Sequence, residues 1–241
     1  MIDFRGRIAL VTGGSRGIGR ATAIALGRAG ANVAINFLTQ EDAANEVALE
    51  IKNIGCNASI FQGDVSQSLE VDRMVAEISG KLGPIDILVN NAGQARRLSI
   101  DEVTEDDWEQ TMSINLKSVF LVTRAVLPHM RAQKWGRIVN VSSGASMTGG
   151  SVGIHYSASK GGVDALSRAY ASRLVKEGIT VNIVSPSLID TDMIPDKLVA
   201  QNIPMGRLGL PQECADAIVQ AASNGFMTGQ TIFLNGGRCF G

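Results

Sequence analysis

Short apolar runs alternate with helix-length amphipathic segments along the chain, and this alternation is the feature that most restricts its fold. Strands joined by helices form βαβ units, whose parallel strands are buried beneath helices on both faces of the sheet. The sequence therefore predicts an α/β fold, a doubly wound Rossmann-type three-layer sandwich with a seven-stranded parallel sheet. The predicted strands lie near Arg7–Thr12, Asn32–Phe37, Ala58–Gln62, Ile85–Asn90, Gly136–Val141, Thr180–Val184 and Thr231–Leu234. The predicted helices lie near 17–29, 41–54, 68–82, 104–132, 156–177 and 211–222.

The chain of 241 residues shows no linker, repeat or block of charge that would divide it into two domains. A single α/β domain of this length is ordinary, so we predict one domain over residues 1–241. The longest stretch without clear periodicity is Pro186–Leu210. Because irregular segments of this length in compact domains are commonly functional, we predict a substrate lid at about 187–208.

Charge and composition exclude several classes of function. Lys and Arg number 22 against 23 Asp and Glu, without the clustered basic charge that binds nucleic acid or anionic lipid. The three cysteines are far apart and there are only two histidines, so neither a disulfide framework nor a metal site is predicted. No apolar stretch approaches the about 18 residues of a membrane span, and no secretory signal is recognisable. We therefore expect a cytoplasmic protein with no nucleic-acid or membrane partner.

The first predicted strand runs directly into a glycine-rich loop at Thr12–Gly19, and the first helix begins inside that loop. Glycine allows a tight turn and a close approach to a ligand, while the amides and dipole of a helix N-terminus attract a pyrophosphate. The spacing is GxxxGxG rather than the GxGxxG of the common dinucleotide fingerprint. A plain glycine turn is the alternative, but the position after the first strand favours a nucleotide.

The end of the second predicted strand bears on the choice between NAD and NADP. An Asp or Glu at this point accepts hydrogen bonds from the ribose 2′-hydroxyl of NAD, but no acidic residue occurs here before Glu41. Arg16, in the glycine loop, offers a planar fork of donors to the 2′-phosphate of NADP. The sequence therefore predicts NADP(H) in preference to NAD(H), the alternative being that Arg16 is only a solvated loop cation.

Tyr156 and Lys160 are four residues apart at the start of a predicted helix, which places both side chains on one face. A nearby ammonium favours the ionised form of a phenol and brings it towards acid–base use at neutral pH. Ser142 and Ser143 end the fifth predicted strand, at the sheet edge where doubly wound folds bind ligands. The alternative, an exposed helical pair without a chemical role, is common.

In order, and over nearly the whole chain, these residues resemble the short-chain dehydrogenase/reductase family. The matching positions are Thr12–Gly19, Asp64-Val65, Asn90-Asn91-Ala92-Gly93, Asn115, Ser143, Tyr156-x-x-x-Lys160 and Pro186 through Thr191. The resemblance implies a catalytic tetrad of Asn115, Ser143, Tyr156 and Lys160. Tyr156 would protonate the carbonyl oxygen of the substrate, and Ser143 would orient and polarise it. Lys160 would lower the tyrosine pKa and hold the nicotinamide ribose, and Asn115 would hold a water of the proton relay.

The resemblance also implies which residues contact the cofactor and the substrate. Asp64 would bind the adenine amine, Asn91, Ala92 and Gly93 would line the adenine ribose, and Ile189 and Thr191 would bind the carboxamide and a phosphate. The predicted cofactor contacts are Gly13, Ser15, Arg16, Gly17, Ile18, Gly19, Asn36, Thr39, Asp64, Val65, Asn91, Ala92, Gly93, Tyr156, Lys160, Pro186, Ile189 and Thr191. The predicted substrate contacts are Gln94, Ser143, Met147, His155, Tyr156, Ser187, Leu188 and Met193, with Met205 as a further candidate.

Within the family the chain looks most like the 3-oxoacyl-[acyl-carrier-protein] reductases. This resemblance implies hydride transfer between a nicotinamide and a ketone or secondary alcohol, with a 3-oxoacyl thioester as one candidate substrate. An alcohol or sugar dehydrogenase working in the oxidative direction is an alternative, and a non-catalytic NADP-binding sensor is another. The family resemblance further implies a homotetramer, in which the long apolar helices 104–132 and 156–177 pair across a dimer interface and the C-terminal strand region completes the tetramer. The alternative is that these helices are buried within one chain.

Two positions depart from the family pattern. Ser187 follows Pro186 where the family usually has glycine, which puts a side chain near the nicotinamide and the substrate and leaves the specificity open. Glu177 stands where a cation that docks an acidic carrier protein would be expected, although Lys134 and the neighbouring Lys176 are basic. The sequence therefore does not decide whether an acyl-carrier protein is a partner.

Overall fold

The computed structural model describes residues 2–194, 200–201 and 203–239. At its centre lies a parallel sheet built from β1 (Ile8–Val11), β2 (Asn32–Phe37), β3 (Ala58–Gln62), β4 (Ile87–Asn90), β5 (Gly136–Val141), β6 (Ile179–Pro186) and β7 (Thr231–Leu234). The strand order is β3-β2-β1-β4-β5-β6-β7, and every neighbouring pair is parallel. The predicted doubly wound fold with seven parallel strands is therefore confirmed.

Helices cover both faces of this sheet. Their bounds are α1 (Gly17–Arg28), α2 (Glu41–Asn53), α3 (Ser68–Lys81), α4 (Glu105–Met112), α5 (Ser118–Ala132), α6 (Ala145–Thr148), α7 (Ile154–Leu174) and α8 (Pro211–Ser223). One core holds side chains of α1, α2 and α8, and the other holds side chains of α3, α5 and α7. Successive strand residues point to opposite faces, so Ala9 and Val11 enter the first core while Ile8 and Leu10 enter the second.

The predicted continuous helix over 104–132 is wrong in one respect, because it is interrupted. A π-helical turn, Ser113–Lys117, separates α4 from α5. Asn115 lies in this wider turn, fully buried, where it bonds to a neighbouring loop rather than lying on a regular helical face. Turns of this kind recur at functional sites. The short helix α6 was not predicted.

The strand order fixes where a ligand crevice opens. The chain winds outwards from β1 through β2 to β3, then returns to place β4 on the other side of β1. Crossovers on opposite faces leave a crevice beyond the carboxyl ends of β1 and β4, where open α/β sheets bind ligands. The glycine loop follows β1 directly and Asn91 follows β4. No helix among the described residues is long and apolar enough to cross a membrane.

Candidate active site

The glycine loop after β1 is folded too tightly to admit side chains at certain positions. Gly13 has φ +60°, and a Cβ built on Gly19 would lie 2.1 Å from the carbonyl oxygen of Gly13. The Asn91 side-chain amide closes the loop by donating hydrogen bonds to the carbonyl oxygens of Thr12 and Gly13, at 3.0 and 3.1 Å. Gly13, Gly19 and Asn91 therefore shape a bare backbone surface beside β4.

The first turn of α1 is available to an anion. Its N-cap residue, Arg16, makes no side-chain capping hydrogen bond, and the first turn holds no acidic residue. The amides at a helix N-terminus have no partner inside the helix and carry partial positive charge. Together with the side-chain-free loop at Gly13 and Gly19, this donor set fits the pyrophosphate of a dinucleotide. Ser15 is buried beneath the loop, and Ile18 lines the adjoining pocket.

Asn36 has a different role from the predicted cofactor contact. It is buried at the end of β2. Its Oδ1 accepts a hydrogen bond from the Gly13 amide at 3.2 Å, and its Nδ2 donates to the Gly63 carbonyl at 3.0 Å. Because both side-chain groups bond within the protein, Asn36 holds the glycine loop in place, and its contact with a cofactor stays a prediction. Thr39, by contrast, is exposed just past the strand, where a predicted contact is sterically open.

The predicted adenine end of the crevice lies beyond β3. Asp64 is partly buried, and its Oδ1 accepts a hydrogen bond from the Ser66 amide at 2.8 Å. Val65 is buried next to it. The Asp64 backbone amide is held by Glu70 Oε2 at 2.8 Å, so the turn that carries the carboxylate is fixed. This arrangement is compatible with the predicted adenine contacts at Asp64 and Val65.

Arg16 forms an ion pair at the predicted 2′-phosphate position. Its Nη1 lies 3.7 Å from Oδ2 of Asp192, and both side chains are largely exposed. An exposed pair at this distance contributes little binding energy. The guanidinium therefore stays close to the glycine loop and can exchange the carboxylate for a phosphate.

Beyond the glycine loop, a pocket brings together three of the four predicted catalytic residues, Ser143, Tyr156 and Lys160. The Ser143 side chain interacts with the Tyr156 hydroxyl, and Ser143 Oγ accepts a hydrogen bond from the Ala145 amide at 3.2 Å. Ser142 is buried and its hydroxyl donates to the Lys160 carbonyl at 3.3 Å. Of the two neighbouring serines, Ser143 is therefore the one that interacts with the phenol, and Ser142 is bonded to the helix backbone.

The electrostatics of the tyrosine differ from the prediction. Burial raises the pKa of Tyr156 above its ordinary value, and the interaction with Ser143 offsets part of that rise. Lys160 is not among the causes of this shift; its Nζ donates to the Val141 carbonyl at 2.9 Å and lies 5.9 Å from the tyrosine ring centre. Burial lowers the pKa of Lys160 to about 8, with Asp164 opposing that shift. The phenol is thus held in its protonated form at neutral pH.

Asn115 does not reach the pocket directly but braces it. Its Oδ1 accepts from the Gln94 amide at 2.9 Å, and its Nδ2 donates to the Gln94 carbonyl at 3.0 Å and to Ser159 Oγ at 3.2 Å. A Cβ on Gly93 would lie 3.2 Å from Asn115 Oδ1 and 3.6 Å from Lys160 Nζ. Asn115 therefore lies near the ammonium end of Lys160, as the predicted relay requires, and links the loop after β4 to α7.

The predicted substrate contacts divide into two groups. Gln94, Ser187 and Met193 line the pocket with Ser143 and Tyr156, as do the predicted cofactor residues Asn91, Gly93, Pro186, Ile189 and Thr191. Met147, Leu188 and Met205 are not among its described lining residues, and Met147 and Met205 are largely exposed. Residues 195–199 and 202 of the predicted lid lie outside the described residues.

The prediction that His155 contacts the substrate is wrong. His155 is fully buried at the start of α7, does not line the pocket, and interacts electrostatically with Asp107 of α4. Adjacent helical residues point about 100° apart, so the turn that aims Tyr156 at the pocket aims His155 into the protein. Its role is in packing.

One residue at the pocket escaped the sequence reasoning. Arg238, in the turn after β7, donates a hydrogen bond from Nη1 to the Ser187 hydroxyl at 2.9 Å. Arg238 lies outside every matched motif in the sequence. The one sequence feature that pointed towards this contact was the serine at position 187.

Comparison with known proteins agrees with this geometry. The short chain dehydrogenase family model matches residues 7–201. A 3-oxoacyl-[acyl-carrier-protein] reductase from Synechocystis sp. is 40% identical, covering 98% of this chain and 98% of that protein. An acetoacetyl-CoA reductase from Shinella zoogloeoides is 40% identical, covering 97% of this chain and 99% of that protein.

Among solved structures, a gluconate 5-dehydrogenase from Burkholderia cenocepacia J2315, crystallised in complex with NADP and tartrate, superposes with a TM-score of 0.92. It is 34% identical, and the match covers 98% of this chain and 96% of that chain. The family model, the full-length relatives and the shared fold agree on one family. The chain belongs to the short-chain dehydrogenase family of oxidoreductases.

Proposed function

We propose that this protein is an NADP(H)-dependent oxidoreductase that interconverts a ketone and a secondary alcohol. The observation that carries the proposal is that Ser143, Tyr156 and the buried Lys160 line one pocket, in which the Ser143 side chain interacts with the phenol. A nicotinamide bound in this pocket supplies or accepts the hydride. The tetrad of Asn115, Ser143, Tyr156 and Lys160 is complete, which favours catalysis over a sensor that only binds the dinucleotide.

The reactive groups act in distinct ways on the substrate oxygen. Tyr156, whose raised pKa keeps it protonated at neutral pH, donates its proton to the carbonyl oxygen as charge develops there. The Ser143 hydroxyl donates a hydrogen bond to the same oxygen and orients it. Lys160 would return a proton to the Tyr156 phenolate, and a water held by Asn115 would resupply Lys160 from solvent; Asn115 Oδ1 and Lys160 Nζ both lie close to Gly93. Run in reverse, the same groups accept the proton of an alcohol.

Specificity for NADP is supported by the absence of an acidic side chain at the end of β2 and by the position of Arg16 beside the glycine loop. The gluconate 5-dehydrogenase of similar structure was solved with NADP. Arg16 is expected to release Asp192 and pair with the 2′-phosphate. The preference for NADPH over NADH is the corresponding kinetic expectation.

Two substrate classes follow from the comparisons. The 3-oxoacyl-[acyl-carrier-protein] and acetoacetyl-CoA reductases at 40% identity favour reduction of a 3-oxoacyl thioester. The gluconate 5-dehydrogenase favours a polyhydroxy acid and the oxidative direction. Docking of an acidic carrier protein would need a free cation near Glu177. Arg131 donates a hydrogen bond from Nε to Glu177 at 2.8 Å, so the two charges are paired and neither is free at this position. A homotetramer is the expected assembly, and sedimentation of the purified protein measures it.

A substrate panel tests the proposal. Acetoacetyl-CoA, neutral ketones and oxo acids are supplied with NADPH or NADH, and polyhydroxy acids are supplied with NADP or NAD, while cofactor absorbance is followed. We expect turnover of at least one carbonyl compound, with kcat/KM higher for NADPH than for NADH. Tight NADPH binding without turnover of any compound would instead identify a dinucleotide sensor.

A further inference from the structure

The substrate side of the pocket carries a polar pair that no part of the proposed chemistry uses. Ser187 lines the pocket beside Ser143 and Tyr156, and a Cβ built on Gly144 would lie 3.8 Å from the Ser187 Cβ. Its hydroxyl accepts the hydrogen bond from Arg238 Nη1 at 2.9 Å. A glycine at position 187 would have no hydroxyl to offer. Ser187 therefore connects the catalytic pocket to a cation on the C-terminal segment.

Arg238 lies in a turn that is held by hydrogen bonds. Asn235 Oδ1 accepts a hydrogen bond from the Gly237 amide at 2.9 Å, and Asn235 Nδ2 donates to the Cys239 carbonyl at 2.8 Å. The Arg238 amide itself donates to the Asn235 carbonyl at 3.2 Å. On the pocket side, the Ser187 amide donates to the Leu234 carbonyl at 2.8 Å. These bonds fix the backbone of both members of the pair before any ligand binds, which lowers the entropy lost on binding.

The guanidinium of Arg238 carries charge that the described part of the protein does not neutralise. Some exposed arginines, such as Arg131 with Glu177 and Arg207 with Glu213, are held by carboxylates. Among the described residues, Arg238 is in no ion pair, and its one side-chain hydrogen bond is to the neutral Ser187 hydroxyl. A guanidinium has five N–H donors. A fork of donors therefore remains for an anion at the mouth of the pocket.

We infer that Ser187 and Arg238 form a carboxylate-binding site, and that the substrate is a compact oxo acid or its hydroxy acid. A planar guanidinium fork matches the two oxygens of a carboxylate. In a carrier-bound or CoA-bound thioester, the phosphates are separated from the reacting carbonyl by the whole pantetheine arm. An anion held next to Ser187 must instead belong to the same short carbon skeleton as the carbonyl at Ser143 and Tyr156. This assignment rests on the proposed function and selects a substrate class within it.

The test compares substrates that differ only in this charge. Short-chain oxo acids are each paired with their methyl esters, and kcat/KM is measured for both with NADPH. We expect the wild-type protein to prefer the acids. Arg238→Ala should lower the acid-to-ester ratio of kcat/KM about tenfold, equivalent to about 1.4 kcal/mol, as for one charge-assisted hydrogen-bonded pair. Arg238→Lys, which keeps the charge but loses the fork, should fall between the two.

Two further variants separate a specific contact from a general change. Ser187→Gly should lower the same ratio by a smaller factor, because it removes the hydroxyl that positions Arg238. Arg173→Ala removes an exposed cation at the far end of α7 and should leave the ratio unchanged. The preference for acids should also weaken as salt is raised, since the site is exposed.

Failure of this inference is distinguishable from failure of the proposed function. Equal reduction of esters and acids, or an acid-to-ester ratio that Arg238→Ala leaves unchanged, would overturn the carboxylate site. Either result would leave the proposed oxidoreductase activity standing. If no compound is turned over, calorimetric titration of an oxo acid into the NADPH-loaded protein still decides the point. Weaker binding to the Arg238→Ala protein supports the site, and equal binding or none overturns it.

Discussion

Lys160→Met should change how the stability of the protein depends on pH. The side chain of Lys160 is buried, and burial lowers its pKa from 10.5 to about 8. In the unfolded chain the lysine keeps its proton up to about its ordinary pKa, whereas the folded protein releases the proton near 8. Between these values the unfolded state binds more protons, so the free energy of unfolding rises with pH. Methionine has similar length and no titration.

The magnitude follows from the difference between the two pKa values. One pKa unit corresponds to about 1.4 kcal/mol, so a shift from 10.5 to about 8 destabilises the folded state by about 3 kcal/mol at neutral pH. The hydrogen bond from Nζ to the Val141 carbonyl returns about 1–3 kcal/mol of this. At neutral pH, Lys160→Met removes both the cost of the lowered pKa and the gain from the hydrogen bond, so its free energy of unfolding should be close to that of the wild-type protein. At high pH the cost disappears from the wild-type protein, whose free energy of unfolding should then exceed that of the variant by about 3 kcal/mol more than at neutral pH.

The assay is urea unfolding of both proteins without cofactor, at a series of pH values between about 7 and 10. We expect the difference between the free energies of unfolding to move steadily in favour of the wild-type protein. Lys176→Met, which removes an exposed lysine just after α7, should show a constant difference. Parallel curves for the wild-type and Lys160→Met proteins would refute the argument, because the ammonium would then not be desolvated in the folded state.

Two other predictions concern the cofactor. Gly19→Ala should abolish NADPH binding and destabilise the fold by more than about 2 kcal/mol, because its Cβ would lie 2.1 Å from the Gly13 carbonyl oxygen. Gly80→Ala, at a helical position with nothing within 4 Å, should instead stabilise the protein by about 0.5–1 kcal/mol, and thermal unfolding with NADPH fluorescence titration measures both. Asp192→Asn should lower the dissociation constant for NADPH about twofold and leave that for NADH unchanged, because it frees Arg16 from an exposed ion pair. An unchanged ratio of the two dissociation constants would count against the role of Arg16.

Local sequence patterns were sufficient for the sheet. Strands such as Ile8–Val11 are continuously buried, so their apolar runs have no competing helical periodicity. The glycines that follow several helices, and the glycine loop after β1, predicted where the chain turns. Tyr156 and Lys160 could be placed on one helical face by their spacing alone. Tyr156 and Lys160, whose common helical face follows from their spacing, both line the pocket.

Tertiary contacts decided what the sequence could not. In the π-helical turn at Ser113–Lys117, Asn115 bonds to Gln94 and Ser159, which lie far away in the chain. Asn36 was predicted to contact the cofactor, but the folded protein engages both of its side-chain polar groups. Arg238 reaches Ser187 only because β7 lies beside β6. None of these pairings has a periodic signature.

The central claim is that the Tyr156 phenol is the group that exchanges a proton with the substrate oxygen. Tyr156→Phe removes this hydroxyl alone, and Tyr170→Phe makes the same change on the same helix at the only other tyrosine. Turnover of the best ketone in the panel is measured at saturating NADPH, together with the dissociation constant for NADPH. We expect kcat to fall at least about 100-fold in Tyr156→Phe, with NADPH binding within about threefold of wild type, and to be retained in Tyr170→Phe. A Tyr156→Phe protein that binds NADPH and keeps most of its turnover would contradict the account.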